Sequence, residues 1–315
     1  MTALPAVLAV DVGGTTIKAA VIDQAGAVLD QAQRPTSPAN GPASVVEAVR
    51  AATSELVRPG VVAAGVVIPG SVEVATGIAR YSANLGWRDV PLRDLLAADL
   101  GIPVTIEHDV RAAGLAEAAL GAAHGVTDCL VVVIGTGIAG VIRSAGVTLR
   151  GATDLAGEIG HIPVYPNGEP CACGQRGCLE TYASAAAIAR RYRALGGDAG
   201  ALDAREIAAR EATDATARQI WAEATDALGV ALATYTLLLD PGSIVLGGGL
   251  AEAGDRLLVP VRAALTERLT WREPPSVSVS ALGSRAGQLG AAILAWQAVG
   301  FAEFSSWSAP RSPCR

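Results

Sequence analysis

A chain of 315 residues that is 51% hydrophobic and 17% charged can bury one large core or two ordinary ones, and it is too apolar to stay disordered. A formal charge of −6 and a pI near 5.2 exclude a nucleic-acid backbone held by diffuse positive potential, so any phosphate must be gripped by local backbone N–H groups and a cation. The longest apolar runs, such as VVAAGVVIPG and CLVVVIG, are too short to cross a bilayer, and the N-terminus lacks the basic flank of an export signal; a cytoplasmic protein with neither membrane nor nucleic-acid partners is expected.

In chain order the elements alternate as in an α/β protein. AVLAVDVGGTTIKAAVID reads as two strands around a glycine turn, and AVLDQAQRP as a third strand. A helix near 43–57, a strand at 61–68, a helix in VPLRDLLAADLG and a strand in IPVTIEHD follow, then a helix beginning directly after Asp109 and running through VRAAGLAEAALGAAHG. CLVVVIGTGIAGVIRSAG then repeats the opening design of strand, Gly/Thr turn and return strand, so two related lobes are expected. Residues 184–238 read as helical, SIVLGGGL as a strand entering a glycine loop, 253–268 as a helix, SVSVSAL as a strand and AGQLGAAILAWQAVG as a closing helix. Arg and Ala abound, whereas Lys18 is the sole lysine, a bias that reads as genomic rather than chemical.

The turn Asp11-Val-Gly13-Gly14-Thr15 sets a carboxylate at a strand end beside two residues without Cβ. Such a loop lets N–H groups approach a phosphate while the acid holds a cation; alone, it reads equally well as a glycine hairpin. The second copy, Gly135-Thr136-Gly137, favours a polyphosphate gripped by both turns. Gly247-Gly248-Gly249 sits where nucleotides bind in α/β proteins, although a plain strand-to-helix turn explains it as simply. Asp109 ends a strand and starts a helix, which suits either an N-cap or a carboxylate aimed into a crevice. His108 beside it is a substrate contact or a buried imidazole.

GEIGHIPVYPNGEPCACGQRGCLE, residues 157–180, holds three of the five cysteines. Five thiols cannot all pair within the chain, and in a reducing compartment clustered thiols bind metal more often than they form bridges. Cys171, Cys173 and Cys178 with His161 make a closed tetrahedral set for a structural zinc ion. Such a knuckle would hold Glu158 and Glu180 rigidly, which suits recognition of a polyol by carboxylates. Cys129 is expected in a buried strand and Cys314 in a fraying C-terminal tail.

These motifs together resemble the ROK family, within the actin-like ATPase and sugar kinase superfamily, from LAVDVGGTTIKAAVID to GQLGAAILA. Its most specific portion is GEIGHI followed by CACGQRGCLETYAS. The resemblance implies two actin-like (ribonuclease H-like) lobes around a central cleft. The smaller would comprise residues 1–118 with 288–315, the larger 119–287 with a zinc loop at 161–178. It further implies ATP and Mg²⁺ as cofactors, with Asp11, Gly13, Gly14, Thr15, Gly135, Thr136, Gly137 and Gly247–Gly249 on the nucleotide and Asp11 reaching Mg²⁺ through water. Gly70 after Pro69, Asn84, His108, Glu158, His161 and Glu180 would contact a sugar, and Asp109 would be the general base, for which an ordinary carboxyl pKa suffices. His161 would face both zinc and sugar. The family commonly has Asn where this chain has His108, and SANLGW lacks a proline often found before Gly-Trp, so the sugar is less defined than the reaction. Glucose phosphorylated at its 6-hydroxyl is the expected reaction, with N-acetylmannosamine, allose or fructose as alternatives and a sugar-binding regulator as the non-catalytic one. The early position of Asp11 leaves no room for the helix-turn-helix of the family's repressors. A homodimer or homotetramer is expected.

Overall fold

The run AVLAVDV forms strand β1 (Ala6–Val12), with every side chain buried except Asp11. Burial on both faces marks the interior of a sheet covered by helices on both sides. The structure, a computed structural model, describes residues 4–198, 200, 203–304 and 307. β1 turns back into β2 (Thr16–Asp23) and β3 (Val28–Pro35), and the chain continues through α1 (Pro42–Leu56), β4 (Val61–Ile68), β5 (Ser71–Glu73), β6 (Ile78–Ser82), β7 (Trp87–Val90), α2 (Leu92–Leu100), β8 (Val104–His108) and α3 (Asp109–Leu120). The main sheet is ordered β3-β2-β1-β4-β8; its β3-β2-β1 portion is antiparallel and its β1-β4-β8 portion parallel.

The design then recurs. β9 (Cys129–Ile134), β10 (Ile138–Ser144) and β11 (Val147–Thr148) form an antiparallel set, followed by α4 (Glu180–Ala183), α5 (Ala185–Ala194), α6 (Ala204–Ala209), α7 (Ala215–Leu239), β12 (Ser243–Gly247), α8 (Asp255–Arg268) and β13 (Ser276–Val279). Their sheet, β11-β10-β9-β12-β13, repeats the first in order and in strand direction. The chain accordingly separates into two compact units. One draws on residues within 1–124, 151–155 and 285–315, the other on residues within 125–150 and 156–284. A final helix, α9 (Ala286–Ala298), belongs to the first unit and packs on β1, β4 and α3. Each unit has its own apolar cluster, around Leu8, Val66 and Trp87 in one and Ile134, Leu228 and Leu246 in the other.

Two departures from the expected elements bear on the site. A small antiparallel sheet, β5-β6-β7, stands where no strands were expected. Its strands are three to five residues long, with Arg80, Tyr81, Arg88 and Asp89 exposed, so no apolar period survives to betray them. Helix α3 begins at Asp109 itself, one residue early, and stops at Leu120 although an alanine-rich sequence continues. The buried Glu117 ends it, because its Oε2 accepts a hydrogen bond from the Ala122 N–H at 2.7 Å. Cys129 is fully buried, as expected; Cys314 lies outside the described residues. Among the described residues no helix is long and apolar enough to cross a membrane.

Candidate active site

In the first unit the parallel strands β1, β4 and β8 end side by side, bringing Asp11, Gly70, His108 and Asp109 to one sheet edge. Ligand sites of open α/β sheets lie at this carboxyl edge. Gly13, Gly14 and Thr15 form the β1–β2 turn, closed by the Gly13 N–H donating to the Thr16 carbonyl at 2.9 Å. Thr36 clamps the same turn, its Oγ1 donating to the Gly13 carbonyl at 2.6 Å. Gly70 has φ +102°, and a Cβ there would stand 2.2 Å from the Tyr81 carbonyl of β6, so only glycine lets the small sheet approach. The β6–β7 turn carries Asn84, whose Cβ would lie 3.6 Å from a Cβ placed on Gly14. The sheet missed in the sequence is thus what carries Asn84 to the glycine turn.

The acids of this edge are held against their normal ionisation. Burial raises the Asp11 pKa although Lys18, opposite it on β2, pulls the other way. Asp109 is pushed up to about 7 by burial first and by the Asp11 charge second. Its side chain is still 32% exposed, so protein surrounds the carboxyl without sealing it from a substrate. The N-cap reading does not hold, because Asp109 is the first helical residue and no side chain caps the helix; its Oδ1 accepts from the adjoining Val110 N–H at 2.7 Å. His108 is lowered to about 4 by burial, with the Arg111 charge adding to the effect, so the imidazole is neutral at pH 7. Its Nε2 lies 3.3 Å from Asp109 Oδ1. Beneath them Glu107 and Arg111 form a buried pair at 2.8 Å, and Arg111 Nη1 also donates to the Asp154 carbonyl at 2.7 Å. Sequence reasoning passed over this pair; its only signal is the four-residue spacing across a strand-to-helix junction.

In the second unit the equivalent edge brings Gly135–Gly137 and Gly247–Gly249 together, since β9 and β12 are parallel neighbours. A Cβ on Gly248 would meet the Ile134 carbonyl at 2.3 Å, so the two loops touch. Glu180, the first residue of α4, accepts from the Ile138 N–H through Oε2 at 2.8 Å and covers Gly137. One of its oxygens therefore secures the glycine turn, a task the sequence did not suggest. Glu158 is exposed just before the short 3₁₀ turn Ile159–His161.

His161, Cys171, Cys173 and Cys178 present ligand atoms all within 4.8 Å of one another. The Cys173 and Cys178 sulfurs are 3.7 Å apart, and Cys171 Sγ is 3.8 Å from His161 Nδ1. Ligands held about 2.3 Å from a tetrahedral zinc are separated by about 3.8 Å, so the donor set fits that ion. Nδ1 is the ring nitrogen turned to the thiols, which leaves Nε2 for another partner. Burial and the neighbouring thiols raise Cys178, a penalty that a bound cation would reverse.

Family comparison decides the lineage: the ROK family model matches residues 7–298. The chain belongs to the ROK family. Among ROK relatives, a glucokinase from Halalkalibacterium halodurans is 36% identical over 310 residues, covering 91% of this chain and 94% of that one. An N-acetylmannosamine kinase from Shigella flexneri is 33% identical, covering 92% and 98%. The solved structure of a ROK family glucokinase from Streptomyces griseus in complex with glucose and AMPPNP superposes with a TM-score of 0.79 at 32% identity, covering 93% of this chain and 99% of that one. The two sheets share one strand order, in keeping with the actin-like fold of ROK kinases.

Proposed function

We propose that the chain transfers the terminal phosphoryl group of ATP to a hydroxyl of a hexose, with glucose and its 6-hydroxyl as the first candidate. The observation that carries this reading is Asp109. It is a reachable carboxyl at the sheet edge, beside the Gly13–Thr15 turn and Asp11, with its pKa pushed up to about 7. A base with a pKa near ambient pH combines a useful fraction of carboxylate with enough basicity to take a proton. Asp109 accepts the proton of the attacking hydroxyl as its oxygen bonds to phosphorus, and the bond to the leaving ADP oxygen breaks. Phosphoryl transfer demands mainly positioning and charge stabilisation, which the N–H groups of both glycine turns supply to the phosphate oxygens.

Asp11 offers a single half-buried carboxylate, a donor that suits Mg²⁺ kept largely hydrated. Bound there, Mg²⁺ would neutralise charge on the donor phosphates. Asn84, Gly70, His108, Glu158, His161 and Glu180 position the sugar hydroxyls, and Gly247–Gly249 takes the adenosine side. His161, Cys171, Cys173 and Cys178 would hold zinc with all four protein ligands, and the ion would then fix the loop that carries Glu158 and Glu180 rather than take part in the chemistry.

N-acetylmannosamine is the second reading, supported by the relatives of that name and by a neutral imidazole at His108, which can donate to or accept from an acetamido group. Comparing kcat/KM for glucose, N-acetylmannosamine, allose and fructose separates the two. A preference of at least tenfold for glucose is expected, and a preference for N-acetylmannosamine overturns the first choice. Absence of turnover with every sugar overturns the kinase reading in favour of a sugar-binding regulator.

A further inference from the structure

Two buried charges have no part in the phosphoryl transfer proposed above. Glu107, near the end of β8, is 2% exposed, and Arg111, in the first turn of α3, is 6% exposed. They flank Asp109 in the sequence, one before it and one after. A single carboxylate oxygen, Glu107 Oε1, accepts from the His108 N–H at 2.8 Å and from Arg111 Nε at 2.8 Å. The guanidinium reaches further through Nη1, which donates to the Asp154 carbonyl at 2.7 Å. The end of a strand, the start of a helix and the segment 151–155 are therefore tied together through one guanidinium, with Asp109 at the junction.

Segment 151–155 belongs to the first unit but forms no helix or strand there, so no ladder of backbone bonds holds it. Asp154 within it has φ +57°, a left-handed conformation that is uncommon outside glycine and persists where the surroundings fix it. Arg111 supplies such a fixture at the Asp154 carbonyl. At the other end of the tie, α3 starts without a side-chain cap, and Glu107 takes the N–H of His108. The junction is thus held by Glu107 and Arg111, and the Asp109 carboxyl is spared the capping task that Asp commonly performs. A buried ion pair is a poor source of stability, because the penalty for taking two charges from water offsets most of their attraction. What it supplies is direction, since a planar guanidinium presents its donors at fixed angles.

We propose that Arg111, paired with Glu107, is a positioning residue for Asp109: it fixes the β8–α3 junction against segment 151–155 and so sets the direction in which the Asp109 carboxyl meets the attacking hydroxyl. This role rests on the kinase reading above. Arg111 acts through Asp109 and is not itself a catalytic group. The leverage is large, because a reacting group misplaced by about 1 Å can lose about a hundredfold in rate.

The test removes both charges at once, so that neither is stranded in the core. Glu107→Leu combined with Arg111→Met should melt within a few degrees of the unmutated chain, as apolar replacements of buried pairs commonly do. Its kcat for hexose phosphorylation should nevertheless fall about ten- to a hundredfold, with KM for ATP unchanged within about twofold. In an Asp109→Asn background the same two substitutions should lower the residual rate less than about twofold, because the group they direct is already gone. A purely structural pair would instead cost the same factor in both backgrounds. Arg111→Lys gives a second reading that does not require the apolar pair to fold: it keeps the charge but offers one ammonium in place of a planar fork, and kcat should drop about threefold or more. Unchanged kcat in the folded double variant, an equal loss in the Asn background, or unchanged kcat in Arg111→Lys overturns the positioning role. Failure of the kinase reading looks different: the unmutated chain itself then releases no ADP with any sugar, and the positioning role falls with it.

Discussion

Asp109 joins a partly exposed side chain to a carboxyl pKa pushed up to about 7. General-base contributions run to about 10²–10⁴ in rate, so Asp109→Asn should lower kcat by that factor while leaving the far-UV spectrum unchanged. The pH profile follows from the same shift. With Asp109 as the proposed base the carboxylate is the active form, so kcat/KM should climb with pH and level off above about 7; His108, neutral above about 4, adds no limb in this range. Stability carries the opposite sign. An acid with a folded pKa near 7 and an unfolded pKa of about 3.9 binds more protons folded than unfolded between those values. The native state therefore loses stability as pH rises through that window and regains it below. Removing the charge should stabilise: Asp109→Asn is expected to melt higher than the unmutated chain at pH 8, by the equivalent of ~1–2 kcal/mol, with the gap closing toward pH 4. A variant that melts lower at pH 8 would contradict the burial of this charge. The sequence located Asp109 and His108 but not these shifts. Desolvation depends on which elements displace water from a carboxyl, and neighbours such as Asp11 are remote in the chain.

At the scale of elements, the cluster of His161 with three cysteines was the most legible part of the molecule. Its ligands lie within eighteen residues, 161–178, so spacing alone nearly fixes the geometry. Metal analysis should find about one zinc per chain, and Cys173→Ser, which removes an exposed ligand without opening a core cavity, should reduce it below a tenth on dialysis against a chelator. Unchanged zinc in that variant would reject the ligand set. The sheet β5-β6-β7 was illegible because so few of its residues are buried, yet it brings Asn84 beside Gly14. Helix α9 shows another dependence invisible in one strand's sequence. A Cβ on Gly65 of β4 would stand 2.0 Å from the Ala291 carbonyl, a collision with backbone that no rotamer relieves. Gly65→Ala should cost at least ~1–3 kcal/mol, read as a lowered melting temperature, because α9 must retreat from the sheet it covers. An unchanged melting temperature would show that the helix yields without penalty.

For the whole molecule, the duplicated strand-turn-strand pattern was enough to foresee two related sheets, and their matching order and directions bear that out. Each copy places a glycine turn after the strand at the centre of its sheet. The halves have then diverged by what they add: the Asp11–Asp109 edge with Asn84 in one, and the thiol cluster with Glu158 and Glu180 in the other. The most direct measurement of the central claim follows label from γ-³²P-ATP into sugar. With glucose and Mg²⁺ the unmutated chain should yield labelled hexose phosphate in step with ADP, and Asp109→Asn should yield at least a hundredfold less. ADP formed at equal rate without sugar, or labelled sugar formed undiminished by the Asn variant, would contradict the account.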